Sequence, residues 1–164
     1  MTTYYTTLDT PLKTLTLLSD GTALTGIYLS EHKDAPPRGT DWQNRDAATP
    51  FAEAKRQLQE YFDGTRTTFD LPLNPSGTDF QRRVWQKLQA IPFGVTISYG
   101  ELARRIGDPN ASRAVGLANG RNPLSIVIPC HRVIGANGKL TGYAGGIERK
   151  QWLLKFEAAR TGCE

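Results

Sequence analysis

Cys130, His131 and Arg132 stand together at the end of an apolar run, Ser125-Ile126-Val127-Ile128-Pro129. Neighbouring basic or cationic groups favour the ionised form of a thiol, which is the nucleophile. Attack by the Cys130 sulfur is therefore the chemistry that these residue types offer. The competing reading is a small buried hydrophobe, because cysteine is among the most buried residue types. If the run is a strand, adjacent side chains point to opposite faces, and a water or a backbone bend has to connect His131 to the sulfur. Glu157 supplies a carboxylate on the apolar face of the last helix, four residues after Leu153 and three after Leu154. Such a carboxylate needs a partner. His131 is the best candidate in the chain, the alternative being a solvated Glu157 at a frayed helix end.

A metal centre is not predicted. The histidines are His32 and His131, and the cysteines are Cys130 and Cys163. Zinc needs about three or four clustered ligands, and His32 lies far along the chain in a polar stretch. Cys163, one residue from the end, reads as a frayed thiol, and two cysteines make no disulfide framework.

The 164 residues, 38% hydrophobic and 22% charged, fit a soluble globular protein of one or two small domains. No apolar stretch reaches the roughly 20 residues that span a bilayer, and Met1 to Thr10 lacks the blocks of a signal peptide. A cytoplasmic protein without a membrane partner is expected. The net charge of +4 is unevenly spread: residues 1–75 hold seven Lys and Arg against ten Asp and Glu, and residues 76–164 hold thirteen against six. The second half therefore carries the basic surface that a nucleic-acid partner requires, unless it is a solvated face with no partner.

The charge shift coincides with Leu71-Pro72-Leu73-Asn74-Pro75-Ser76-Gly77, where proline and glycine mark a domain boundary. The reading is an N-terminal domain over 1–75 and a second over 76–164. In the first, 12–18 and 23–29 read as strands joined at Ser19-Asp20-Gly21. Residues 34–49 read as a surface loop, and 67–71 as a further strand. Thr49-Pro50 supplies an N-cap and first-turn proline for a helix with apolar Phe51, Ala54, Leu58, Tyr61 and Phe62, ended by Asp63-Gly64. Nothing in this half resembles a site, so its expected role is structural.

In the second half, Thr78 and Gln81 have capping-box spacing ahead of Phe80, Val84, Trp85 and Leu88. Ser98 and Glu101 repeat that spacing before a short helix with Leu102 and Ile106. Gly107-Asp108-Pro109 is a turn, and a third helix over 110–119 buries Ala111, Ala114, Val115 and Ala118. Two short helices across a tight turn in a basic region read as a helix-turn-helix. Ser112, Gly116 and Gly120 recur every four residues on the third helix, leaving one stripe almost bare, with only Arg113 and Asn119 offering reach. Such a stripe suits close backbone approach to DNA with little base readout; tight packing against another helix is the alternative. Asn137-Gly138 is a hairpin signal and suggests a wing. Residues 141–146 are too glycine-rich for regular structure and suggest a loop closing over a ligand.

With these residues assembled, the chain resembles the O6-alkylguanine-DNA alkyltransferases. The resemblance is carried by Pro129-Cys130-His131-Arg132-Val133, Arg113-Ala114-Val115-Gly116, Asn122-Pro123, Tyr143-Ala144-Gly145-Gly146 and Trp152-Leu153-Leu154. It implies an α+β, two-domain fold: a small ribonuclease H-like α/β domain followed by a winged helix-turn-helix domain. It implies direct-reversal DNA repair, in which the alkyl group of O6-alkylguanine, and of O4-alkylthymine, passes irreversibly to Cys130 after minor-groove binding and base flipping. His131 would be the base, acting through a water, and Glu157 would orient it. Tyr99 would donate to guanine N3, and Arg113 would fill the vacated stack. Asn122 would tie the recognition helix to the active-site strand. The Cys130 and Val133 carbonyls would accept from the guanine amine, with Tyr143 and Ala144 at the substrate and the Ala144 amide near O6. Gln81, Tyr99, Ser112, Arg113 and Gly116 would contact DNA.

The resemblance further implies no cofactor, one turnover per chain and no obligate protein partner. Duplex DNA holding the lesion is the expected partner of a monomer, with cooperative loading left open. The zinc ligands of certain relatives and the cysteine-rich domain of others have no counterpart, and Ala144 stands where some have serine or glycine. The rival functions are a winged-helix regulator with a structural cysteine, a Cys-His hydrolase, and a lesion-binding protein that does not repair.

Overall fold

The computed structural model describes residues 2–32, 35–39, 41–140 and 142–161; Cys163 and Thr141 lie outside the described residues. The N-terminal unit is built on strands β1 (Thr3–Thr10), β2 (Lys13–Ser19), β3 (Leu24–Leu29) and β4 (Trp42–Asn44), with helix α1 (Phe51–Asp63) packed against them. The order across the sheet is β3-β2-β1-β4, antiparallel except for the parallel β1–β4 pair. Leu15 and Leu17 alternate inward on β2, and Phe51, Ala54, Leu58 and Tyr61 form the buried stripe of α1.

Three expectations for this half are corrected. The stretch read as a surface loop contains β4, which adds to the free edge of β1 by three paired residues. Residues 67–71 form no strand: the Gln57 side chain on α1 donates to the Asp70 carbonyl and accepts from the Asp70 amide, at 3.0 and 2.9 Å, holding the segment by a side chain instead of a ladder. The α1 cap is Pro50, not Thr49, and no side chain caps the helix; the Thr49 carbonyl instead accepts from the Ser19 hydroxyl. Gly64 closes α1 in the left-handed conformation, where glycine carries no Cβ penalty.

The outer edge of β3 joins the two halves. The Leu24 amide donates to Pro72 and its carbonyl accepts from Asn74, so the linker runs along this edge. Further along, the Ile27 amide donates to Pro123 and the Ser125 amide to Ile27, at 2.8 and 3.2 Å. An otherwise open sheet edge is thereby covered, and the segment leading to Cys130 is anchored to the N-terminal sheet.

The C-terminal unit comprises α2 (Asp79–Leu88), β5 (Ile97–Ser98), α3 (Tyr99–Arg105), α4 (Ser112–Gly120), β6 (Val133–Ile134) and α5 (Ile147–Thr161). Both bonds of the Thr78–Gln81 capping box form. At α3 only the Ser98 half forms, because the Glu101 carboxylate accepts from Arg104 and Arg105. Helix α2 is a brace: Trp85 Nε1 donates to the Ala118 carbonyl of α4 at 2.8 Å, and Arg83 to the Ile106 carbonyl after α3 at 2.7 Å.

Helix α4 begins two residues later than the spacing predicts, and Ala114 faces solvent while Val115 and Ala118 are buried. After β6, which lies parallel to β5, Asn137-Gly138 forms a tight turn closed by Gly135 N to Lys139 O at 2.8 Å. No strand follows that turn among the described residues. No helix among them is long and apolar enough to cross a membrane.

Candidate active site

The apolar run before Cys130 is not a strand. Ile126 has φ +74°, a conformation that β-branched residues rarely adopt, and the chain folds back on itself through Val127 N to Ser125 O and Ile128 N to Leu124 O. Asn122 holds this fold from inside. Its amide donates to the Ile128 carbonyl at 2.8 Å and its oxygen accepts from the Leu124 amide at 2.9 Å. Cys130–Arg132 then make one turn of 3₁₀ helix, so the alternation expected of a strand does not apply to the Cys130 and His131 side chains.

His131 and Glu157 meet as the sequence predicts, with Nε2 2.8 Å from Oε2 and both side chains buried. An ionised carboxylate only accepts, so Nε2 carries the imidazole proton and Nδ1 keeps its lone pair. Nδ1 is buried and has no hydrogen-bonding partner among the described residues. Burial pushes the His131 pKa down, against the pull of Glu157. The imidazole is therefore neutral near pH 7, with a free basic nitrogen.

Arg132 does not serve the sulfur. Its guanidinium grips Glu157 through Nε to Oε1 at 2.8 Å and Nη2 to Oε2 at 2.9 Å, and donates through Nη1 to the Ile91 carbonyl. Tyr61, from α1, adds its hydroxyl to Glu157 Oε2 at 2.6 Å. Burial works against ionisation of Glu157, but the bonds from His131 and Arg132 outweigh it and hold the carboxylate well below its usual range.

Burial likewise pushes the Cys130 thiol up, with Asn122 and the Lys150 cation pulling the other way. The resting pair is thus neutral thiol and neutral imidazole. Lys150, fully buried on α5, donates to the Val133 carbonyl at 2.7 Å. Asn119, expected to reach outward, is buried and donates to the Cys130 carbonyl at 3.3 Å. Of the two carbonyls expected to bind a guanine amine, that of Val133 therefore already holds the Lys150 donor, and that of Cys130 holds two, Asn119 and the Val133 amide that closes the 3₁₀ turn.

Tyr99, Ser112, Arg113, Gly116, Tyr143 and Ala144 come together around an open groove of about 680 Å³ along α4. Gly116 lies against Tyr99: a Cβ there would sit at ordinary contact distance, 3.7 Å from the ring. Tyr143 joins groove to thiol, since it lines the groove and is also an electrostatic neighbour of Cys130. Gln81 is not brought here; its oxygen accepts from the Thr78 amide at the start of α2. Leu117, which the sequence reading passes over, is 67% exposed in the same groove.

Two family models match consecutive stretches. Residues 3–75 match the ribonuclease-like domain, and residues 79–159 the DNA binding domain, of 6-O-methylguanine DNA methyltransferase. The chain belongs to this family. A methylated-DNA–protein-cysteine methyltransferase of Mycobacterium tuberculosis is 53% identical over 157 residues, covering 96% of this chain and 93% of that protein. The constitutive Bacillus subtilis protein is 49% identical, covering 94% of each. A crystal structure of the M. tuberculosis O6-methylguanine methyltransferase superposes with a TM-score of 0.89 at 51% identity, covering 99% of this chain and 96% of that one. A structure of that organism's protein in complex with DNA gives the same TM-score and identity, with coverage of 98% and 96%.

Within this methyltransferase fold, three buried groups escape the sequence reading: Tyr61, Arg132 in its role as a grip on Glu157, and Lys150. A signal for Lys150 was present, because it shares the stripe of Leu153, Phe156 and Glu157 on α5. Tyr61 read as an ordinary core aromatic at helical spacing, with no local hint of a partner 96 residues away.

Proposed function

We propose that this protein repairs duplex DNA by direct reversal, moving the alkyl group of O6-alkylguanine irreversibly to Cys130. The observation that carries the reading is the buried Cys130 thiol, next in sequence to a neutral imidazole whose Nε2 is fixed by a carboxylate, with Tyr143 linking the thiol to a groove lined by the second helix of a helix-turn-helix. Residues 76–164 hold DNA and perform the chemistry, and residues 1–75 are the scaffold. The partner is lesion-bearing duplex DNA, bound by a monomer.

A thiol cannot reach O6 inside the duplex, so the nucleotide is flipped at a cost of a few kcal/mol. The bare face of α4 lies in the minor groove, and Arg113 occupies the vacated stack. His131 Nδ1 takes the thiol proton through a water, and the sulfur attacks the alkyl carbon. The C–S bond forms as the C–O6 bond breaks, and the Tyr99 hydroxyl delivers a proton to guanine N3 as the purine takes up charge. In sum the thiol exchanges its proton for the alkyl group, and guanine recovers a proton. A thioether is a poor leaving group, so each chain turns over once. O4-alkylthymine is a second substrate by the same displacement.

Mixing the protein with an O6-methylguanine duplex and digesting the DNA to nucleosides tests this. Guanine is expected to reappear in a one-to-one ratio with protein and then stop. Persistence of O6-methylguanine in a protein-bound duplex would make the chain a lesion sensor, and continued turnover would make it a true catalyst.

A further inference from the structure

We propose that Tyr61 is a positioning residue for alkyl transfer: from α1 in the N-terminal unit, its hydroxyl fixes the Glu157 carboxylate against the His131 imidazole. The inference rests on the reading of Cys130 and His131 given above. It gives the N-terminal half, which the sequence marks as scaffold alone, a direct link to the reacting pair.

The Tyr61 ring is fully buried and wedged among aromatic side chains, with centroids 5.2 Å from Phe62, 5.6 Å from Phe69, 5.9 Å from Phe93 and 5.4 Å from Phe156. Phenylalanine would fill such a cluster equally well, and a buried hydroxyl costs free energy unless it is bonded. Here the hydroxyl is aimed at Glu157 Oε2, 2.6 Å away. Burial, with the Glu157 charge and that bond, holds the phenol far above its ordinary range. It stays protonated and donates to the carboxylate.

Glu157 Oε2 is shared by three donors: the Tyr61 hydroxyl, His131 Nε2 and Arg132 Nη2. Oε1 takes Arg132 Nε and, at 3.4 Å, the Gly94 amide. Helix α1, the turn at Gly94, the 3₁₀ turn and α5 thus meet at one carboxylate. Around His131 itself, Glu157 favours the imidazolium while Arg132 and Lys150 oppose it. Removing the Tyr61 donor leaves more negative charge on the oxygen that faces Nε2, so imidazolium is favoured, and the carboxylate that orients the ring is held by one donor fewer. Both effects lower the supply of neutral, oriented base.

The test is Tyr61→Phe, which keeps the ring. The chain has two histidines, so long-range proton–nitrogen NMR resolves His131 with one assignment. In the wild type, His131 should be the neutral Nε2–H tautomer at pH 7. In the variant its titration should move up by about half a pH unit or more, with transfer at pH 7 slowed about tenfold, the scale of a hydrogen bond to a charged group. The acid limb of the rate should move with the imidazole, and affinity for lesion duplex should stay within about twofold.

An unmoved His131 titration, or slowing with an unmoved acid limb, would overturn the inference, the second outcome reducing Tyr61 to packing. In a Glu157→Gln background, Tyr61→Phe should add almost nothing; a full multiplicative loss would also overturn it. Should the variant not fold, the wild-type spectrum still decides: a Tyr61 hydroxyl proton with a cross-peak to the His131 Nε2–H is expected, and its absence removes the bond. A wild-type protein that transfers no alkyl group would refute the functional reading separately, while the imidazole titrations would still report on the link.

Discussion

Lys150 donates to the Val133 carbonyl at 2.7 Å from a fully buried position on α5, and among the described residues its charge acts to lower the Cys130 pKa. Burial in turn depresses the lysine, with Cys130 opposing that shift. Thiol and ammonium are therefore matched: ionisation of the sulfur is helped by the cation, and the cation by the sulfur. Lys150→Met keeps the length of the side chain and removes the charge. Single-turnover transfer from an O6-methylguanine duplex should slow about tenfold, the value of roughly one pKa unit at the thiol. An unchanged rate would show that the sulfur does not feel this charge.

Acidification should act first through His131. Its folded pKa lies below the ordinary 6.5, so between the two values the unfolded chain binds more protons than the folded one. Stability from this group is complete above pH 6.5 and falls as pH drops through the folded pKa. Glu157, also depressed, adds a further loss in the carboxylate range and below. The transfer rate, which needs the neutral base, should hold at pH 6.5 and decline only as pH falls through the depressed folded pKa of His131. Thermal melts and single-turnover rates from pH 8 to 5 check both: stability that does not fall below pH 6.5, or a rate that already declines above it, would contradict the depressed, neutral imidazole.

Arg113 stands exposed on the groove face of α4 and touches none of the buried groups around Cys130 described above. Arg113→Ala should reduce reaction with duplex O6-methylguanine by about tenfold or more, the scale of a few kcal/mol of unstacking. Reaction with free O6-benzylguanine, which needs no flipping, should change far less. Equal losses on the two substrates would remove Arg113 from the flipping step.

Tyr99 lies at the start of α3, half-buried against Gly116. Tyr99→Phe keeps that contact and removes the proton donor, so transfer should slow by about 10²-fold, within the range of general acid catalysis, while the melting temperature holds. An unaltered rate would take Tyr99 out of the chemistry.

Much of this arrangement is legible in the chain itself where the signal is local. The Thr78–Gln81 box, the α1 stripe and the bare face of α4 follow from residue spacing, and Glu157 on an apolar stripe demands a buried partner of the kind His131 supplies. What the sequence hides is non-local or conformational. The apolar run 125–129 reads as a strand because nothing in its residue types announces the positive φ of Ile126. Arg132 reads as a cation for the thiol, yet its planar fork suits a carboxylate better, and Glu157 takes it. Tyr61 looks like any core aromatic because its hydroxyl finds its partner across the domain boundary. Asn119 reads as a side chain with outward reach, but the Cys130 carbonyl claims it instead.

The central claim is that Cys130 receives the alkyl group, and peptide mass spectrometry after mixing with an O6-methylguanine duplex tests it most directly. One added methyl is expected on the Cys130 peptide, saturating at one per chain, and none on a Cys130→Ala protein that still binds the duplex. Methylation at any other residue, or an unmodified Cys130 in a protein that nevertheless restores guanine, would contradict it.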